Sequence, residues 1–445
     1  MLLCGVGDVE PGMVLGASVV RPDAPDAELL KAGVALDQPL LARLRSMGIT
    51  QIWVQDDLTK DLDNAVSPEV AAAKAEVFRQ LKDDLGAASR RAVTAADISN
   101  YRQAVLGMVC KLIGDARYAS LTDSLFTARD LAAHGTNVAY LSVLAGLDLE
   151  AYLVKEQPRL PASHARDGAI LGLAGMLHDL GKARQRPALS AHHEAQHPDG
   201  AAPPEEYTDH TTIGFQMLRD SRASPRATQA VLNHHQRFDG RGWPDMAKIT
   251  HGRRNGPLAG RHIHIFTRIV SAANVLDNLL RTADGQRLPP VAALHQFASS
   301  RFDGWFDPLV RRAMLRRIPP FAIGSDVRLT DGRRAVVIGW NAAEPCRPTV
   351  RVLSPAGNPP VAIDLGTQPG LFIAFCQGVD VGNWNYQIPS ILDCDFEPAP
   401  QPIAPAGPPR SAAASLYAYP SLSRSSSSSP KWWPISCSSV IRTSS

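Results

Sequence analysis

Through the middle of the chain, apolar residues recur three and four positions apart, which predicts helices and puts most of the core in an all-α region. The strongest segments are "TNVAYLSVLAGL", "AILGLAGMLHDLG", "ATQAVLNHH" and "HIFTRIVSAANVLDNLL", all within residues 118–320. The pattern breaks at 184–206 and 236–262, where Pro, Gly, His and Arg accumulate. Loops of that length in a compact domain are functional or are disordered insertions. Ahead of this region, "SPEVAAAKAEVFRQLKDDLGAA" and "AADISNYRQAVLGMVCKLIG" carry the same spacing, with Ser67 as N-cap and Pro68 at the first helical position. Residues 61–117 are read as a helical linker leading into the larger domain.

Both ends of the chain change period. "VEPGMVLGASVV" and "ITQIWVQ" read as short strands around a helical "DQPLLARLRSMG", a small α/β unit over residues 1–60. From residue 321, "SDVRLTDGRRAVVIGW" alternates about Asp331-Gly332, and "PTVRVLSPAG" and "PVAIDL" alternate as well. A small antiparallel β module over 321–394 follows. Residues 395–445 are rich in Pro, Ala and Ser and cannot bury enough apolar area to offset their ordering entropy, so they read as a disordered tail. The expected fold class is mainly α: a helical bundle with an α/β unit before it, a β module after it and a tail.

Composition narrows the picture only slightly. An apolar fraction of 44% with 20% charged residues describes an ordinary globular chain, and a net charge of +3 gives no reason to expect DNA as a partner. The six cysteines, at 4, 110, 346, 376, 394 and 437, lack Cys-x-x-Cys spacing and suit a reducing interior better than a disulfide framework. The opening "MLLCGVGDVEPG" has no basic start and meets Asp8 and Glu10 early, and no apolar run approaches the ~18 residues of a membrane span. A cytoplasmic protein with no membrane partner is the expectation.

The chemistry begins at "GMLHDLGK", residues 175–182, where His178 and Asp179 close an apolar helix. Turned inward, that pair needs partners, because an unpaired buried carboxylate is costly. Alone, a His-Asp dipeptide is weak evidence, but His134, His210, His234 and His235 also sit at the edges of apolar helical segments of the same domain. Imidazole and carboxylate suit divalent first-row metals, and one Asp can bridge two ions with its two oxygens. Two ions together polarise a phosphoryl oxygen and activate water near neutral pH.

In order, His134, His178-Asp179 with Gly181-Lys182, His210 with Gly214, and His234-His235 with "DGRGWP" closely resemble the HD-GYP domains, a branch of the HD metal-dependent phosphohydrolases. The resemblance covers roughly residues 118–318 and implies an HD-type all-α bundle that hydrolyses cyclic di-GMP to the linear dinucleotide or GMP. It implies two or three divalent transition-metal ions, iron or manganese. His134, His178, Asp179, His210, His234 and His235 would ligate them, with Asp179 as the bridge. Asp130, one turn before His134, stands where some members bind a third ion. Lys182 would act with Asp179 in catalysis and hold a substrate phosphate. Gly242, Trp243 and Pro244 would meet the substrate, Trp243 either stacking on guanine or anchoring the turn by packing.

This chain departs from the family's pattern in several places. The family's His-His-Glu is His234-His235-Gln236 here, and its Gly-Tyr-Pro is Gly242-Trp243-Pro244. Its last metal-ligand Asp is Asn274, a neutral oxygen donor that would hold one ion more weakly, with Asp277 three residues on. The Arg-Pro-Tyr that normally follows is missing, leaving Arg281 or Arg287 for phosphate contact. These changes leave two alternatives to turnover of cyclic di-GMP: a receptor or scaffold that binds it with little or no hydrolysis, or an HD phosphohydrolase for another nucleotide. The loops "HHEAQHPDG" (192–200) and "HGRRNGPLAGRHIH" (251–264) read as a mobile insertion and as a basic lid or solvated loop. The N-terminal unit resembles a small domain often placed ahead of HD-GYP domains and implies regulation, with a homodimer and signalling proteins as further partners.

Overall fold

The computed structural model describes residues 1–21, 24–65, 67–88, 91–114, 131–185, 205–219, 221–249, 256–282, 288–353 and 361–388. Asp130, Arg287, the 192–200 loop, residues 251–255 and the tail from 395 lie outside the described residues. The chain divides into two compact units, Met1–Phe396 and Glu397–Ser445, and every described residue belongs to the first.

The N-terminal unit pairs β1 (Leu2–Gly5) antiparallel with β4 (Gln51–Val54) and β2 (Val19–Arg21) with β3 (Ala24–Leu30). Helix α1 (Gln38–Ser46) packs Leu41 and Leu44 into their shared core. Asp37 caps α1 by accepting the Leu40 N–H at 2.8 Å. The second predicted strand and the helix are found as expected, whereas β1 and β3 fall where no alternation signalled a strand.

Ten α-helices of seven residues or more follow among the described residues: α2 (Pro68–Ala88), α3 (Ala95–Gly114), α4 (Leu131–Asp148), α5 (Glu150–Glu156), α6 (Gly168–Leu177), α7 (Glu205–Arg219), α8 (Pro225–Asn233), α9 (Ile265–Leu279), α10 (Pro290–Ala298) and α11 (Pro308–Arg317). Helices α4 and α6 are apolar almost all round, and a helix with no polar face belongs at the centre of a bundle. They cross closely, because a Cβ on Gly175 would lie 2.9 Å from Ala139 Cα. That crossing carries His134, near the start of α4, to His178 at the end of α6.

The segment expected as a linker is part of this bundle. Val77, Phe78, Leu81, Tyr101, Val105 and Met108 of α2 and α3 are buried in the same core as α4 and α6. Fully burying one such side chain is worth roughly 1.5–3 kcal/mol, so their apolar stripe favours docking over a free linker. Ser67 caps α2 as expected, its Oγ accepting the Val70 N–H at 3.2 Å. A buried charge network fixes α9. Arg268 bonds to Asp307 and Glu156 and, at 2.9 Å, to the Tyr152 hydroxyl, which itself donates to Asp307 at 2.8 Å. With Arg268 held, α9 turns Asn274 and Asp277 into the bundle.

The C-terminal module is a six-stranded antiparallel sheet in the order β10-β9-β5-β6-β7-β8. Its strands are β5 (Asp326–Leu329), β6 (Arg334–Gly339), β7 (Thr349–Val352), β8 (Val361–Asp364), β9 (Ile373–Cys376) and β10 (Val379–Asp380), with the predicted Asp331-Gly332 turn joining β5 to β6. The N-terminal unit packs on this sheet. Leu3 N–H donates to Gly324 C=O at 2.8 Å, and Val336 of β6 shares a core with Leu2, Cys4 and Leu15. No single described helix is long and apolar enough to cross a membrane.

Candidate metal centre

Seven of the eight expected metal ligands meet inside the bundle: His134, His178, Asp179, His210, His234, His235 and Asn274. Asp179 is at the centre, buried with 2% exposure. Its Oδ2 lies 3.6 Å from His134 Nε2 and 3.4 Å from His178 Nε2, while its Oδ1 lies 3.3 Å from His210 Nε2 and 3.5 Å from His234 Nε2. Two ligand sets therefore share one carboxylate: Asp179 with His134 and His178, and Asp179 with His210, His234 and His235, each within 4.8 Å of one another.

Local sequence explains how these groups converge. His178 and His234 are the C-caps of α6 and α8, where a side chain can turn back on the last helical carbonyls. His178 Nδ1 lies 2.7 Å from Gly175 C=O and His234 Nδ1 2.9 Å from Val231 C=O, so each Nδ1–H donates outward and each Nε2 lone pair faces the centre. His210 arrives because the turn Leu180–Arg184 lies against α7. A Cβ on Gly181 would stand 1.9 Å from His210 C=O and 2.7 Å from Gly214 N, so no larger residue fits there.

The donor set fits metal ions. Metal–nitrogen bonds of about 2.0–2.1 Å in tetrahedral array put neighbouring ligand atoms roughly 3.3 Å apart. The ring nitrogens are spaced that way: His134 to His178 3.2 Å, His210 to His234 3.4 Å, and His210 to His235 3.3 Å. For His178 and His234 the inward nitrogen is the unprotonated one, so these approaches bring acceptors together without a proton to share. Asp179 Oδ1 is buried and accepts no hydrogen bond among the described residues.

Asn274 occupies the last expected ligand place. Its Oδ1 is 3.0 Å from His134 Nε2 and accepts the Asn278 side-chain N–H at 3.1 Å, which orients the oxygen inward. Asp277 does not reach the centre. Its carboxylate accepts from His134 Nδ1 at 2.7 Å and from the Asn137 amide at 2.8 Å. It thus orients His134 from behind, a role the sequence reading missed. The available signal was its place three residues beyond Asn274 on the inward face of α9.

Electrostatics agree with this placement. Burial works against ionisation of Asp179, but the carboxyl is held well below the usual range, with the Lys182 cation, Nζ 2.6 Å from Oδ2, the largest influence in that direction. Burial pushes His234 down to about 3 and His235 well below the ordinary imidazole range, so both are neutral and able to donate a lone pair. Asp277 is also held low despite burial, by His134 and the charge of Arg281 just past α9.

The expected substrate contacts are placed less uniformly. Lys182 is at the centre, whereas Gly242 and Pro244 lie in the turn behind His235, and the Trp243 ring stacks on the His235 ring with centroids 3.7 Å apart. Gln236, one of the departures from the family's pattern, is buried and holds this turn: it donates to Pro244 C=O at 2.7 Å and accepts the Leu258 N–H at 2.8 Å.

Residues 131–279 match the HD domain family. The chain is 27% identical over 370 residues, 76% of its length and 82% of the relative's, to the cyclic di-GMP phosphodiesterase PA4108 of Pseudomonas aeruginosa. Over 171 residues, 37% of the chain and 40% of the relative, it is 29% identical to the cyclic di-GMP phosphodiesterase response regulator RpfG of Xanthomonas campestris pv. campestris. Among solved structures it resembles Bd1817, an HDG"Y"P protein from Bdellovibrio bacteriovorus, with a TM-score of 0.41 and 14% identity over 70% of this chain and 97% of that one.

Proposed function

We propose that the chain, whose residues 131–279 match the HD domain family, is of the HD-GYP branch and hydrolyses cyclic di-GMP at a two-metal site that Asp179 would help to hold on both sides. The supporting observation is the division of labour on that carboxylate: Oδ2 faces His134 and His178, and Oδ1 faces His210 and His234. When bound, the metal ions supply Lewis acidity to the scissile phosphate and activation of water. Iron and manganese suit a set of imidazoles with one carboxylate and one carbonyl oxygen.

The protein's own groups hold and orient. Asp179 stays ionised, and His178 and His234 keep their lone pairs inward through their carbonyl partners. Lys182, paired with Asp179, brings a cation to the cluster, where it binds a phosphate oxygen and offsets charge that develops on it. A cytoplasmic location fits the buried thiols of Cys4 and Cys346, which burial pushes up to about 12 and away from thiolate chemistry.

A second reading has one observation in its favour. Asn274 leaves the His134/His178 set with Asp179 as its one anionic ligand, which suits a cyclic di-GMP receptor with little turnover. Incubating manganese- or iron-loaded protein with cyclic di-GMP and separating the products chromatographically decides between them. Hydrolysis is expected to yield linear dinucleotide or GMP and to vanish in His178→Ala. Tight binding of intact cyclic di-GMP without product establishes the receptor instead.

A further inference from the structure

On the reading that Asp179 and the histidines hold metal, we infer that Trp243 is a positioning residue for the ligand His235, and that the Gly242-Trp243-Pro244 turn serves the metal shell before it serves the substrate. The two rings lie nearly parallel, 17° apart with centroids 3.7 Å apart, so one indole face is covered by the imidazole. The same indole meets His210 edge-on at 5.5 Å and therefore touches two of the three histidines in its set. His235 is flanked by His210 and His234 and is fully buried, and the stack limits rotation of its ring about χ2. A ligand ring free to rotate loses the fixed direction of its lone pair.

The turn is built to press Trp243 onto that ring. Trp243 N–H donates to His235 C=O at 3.2 Å, which returns the chain onto the residue it left eight positions earlier. Gly242 makes this return possible, because a Cβ there would lie 2.3 Å from Arg237 N and 2.4 Å from His235 C=O. Gln236 closes the turn from the far side through Pro244 C=O and Leu258 N–H. A side chain that donates at one end and accepts at the other does both jobs, which a carboxylate cannot.

Metal titration of Trp243→Leu and Trp243→Phe against wild type, with manganese as the probe and no substrate present, tests this. Trp243→Leu is expected to weaken one of two classes of site by about tenfold or more and to leave the other unchanged. Trp243→Phe, which keeps a flat ring, is expected to stay within about threefold of wild type and shows that the effect is not general unfolding. Unchanged metal affinity in Trp243→Leu with a raised KM for cyclic di-GMP would instead make Trp243 a stacking platform for the base, and equal losses in both variants would also overturn the assignment. Because the titration needs no turnover, a wild type that binds manganese but hydrolyses nothing refutes the proposed reaction and leaves this result readable. A wild type that binds no metal refutes both.

Discussion

Asp277 Oδ2 stands 2.7 Å from His134 Nδ1, with Asn137 donating to the other carboxylate oxygen. The imidazole is thereby fixed with its Nε2 toward His178 and Asn274. Carboxylates behind a ligand histidine typically account for 10–100-fold in metal affinity. Asp277→Asn is expected to weaken one metal site by about tenfold or more and to lower hydrolysis at limiting metal, read by titrating metal-free protein. An unchanged titration would mean that His134 needs no orienting partner.

Asn274 supplies an oxygen where charge is lacking. Asn274→Asp changes one atom and adds an anionic ligand to the His134/His178 set, and ligand charge strongly tunes cation affinity. The variant is expected to bind its second ion about tenfold or more tightly and to hydrolyse cyclic di-GMP faster at low metal concentration. Metal content after dialysis, alongside initial rates, checks this, and equal retention in both proteins would contradict it.

His264 gives the fold a pH dependence away from the metal centre. It caps α9, its Nδ1 accepting the Phe266 N–H at 3.1 Å, and burial with the charges of Arg226 and Arg268 pushes it down from 6.5 to about 4. Between those values the unfolded chain takes up a proton that the folded chain refuses. The contribution is therefore complete above about pH 6.5 and is lost as pH falls toward 4, amounting to at most about 3 kcal/mol. Urea midpoints measured across this window should rise with pH, and His264→Asn, which caps without titrating, should flatten the rise.

His178 and His234 were legible in the sequence because each stands where an apolar helical pattern stops, and a helix end is where a buried polar group finds backbone partners, whereas His134, His210 and Asn274 lie within α4, α7 and α9 and were picked out by the order of the family's motifs. The supporting groups were not, because Asp277, Asn137 and Gln236 act across α9, α4 and a loop whose mutual placement no local pattern encodes. Helices α2 and α3 were seen as helices but read as a linker, since periodicity shows that an apolar stripe exists and not what covers it. Strands β1 and β3 escaped for a similar reason: Leu2–Gly5 is buried on every residue and Ala24–Leu30 lacks alternation, so neither shows period two. The docking of the N-terminal unit on the C-terminal sheet joins residues more than three hundred positions apart, beyond any short-range signal.

The bridging role of Asp179 is the centre of the account, and counting bound metal against hydrolysis in wild type and Asp179→Asn tests it most directly. The wild type is expected to retain at least two ions per chain and to cleave cyclic di-GMP. Asp179→Asn, which removes the shared charge but keeps the size, is expected to lose occupancy of both sets and all measurable turnover. An Asp179→Asn protein that keeps its full metal content and its activity would contradict the bridge.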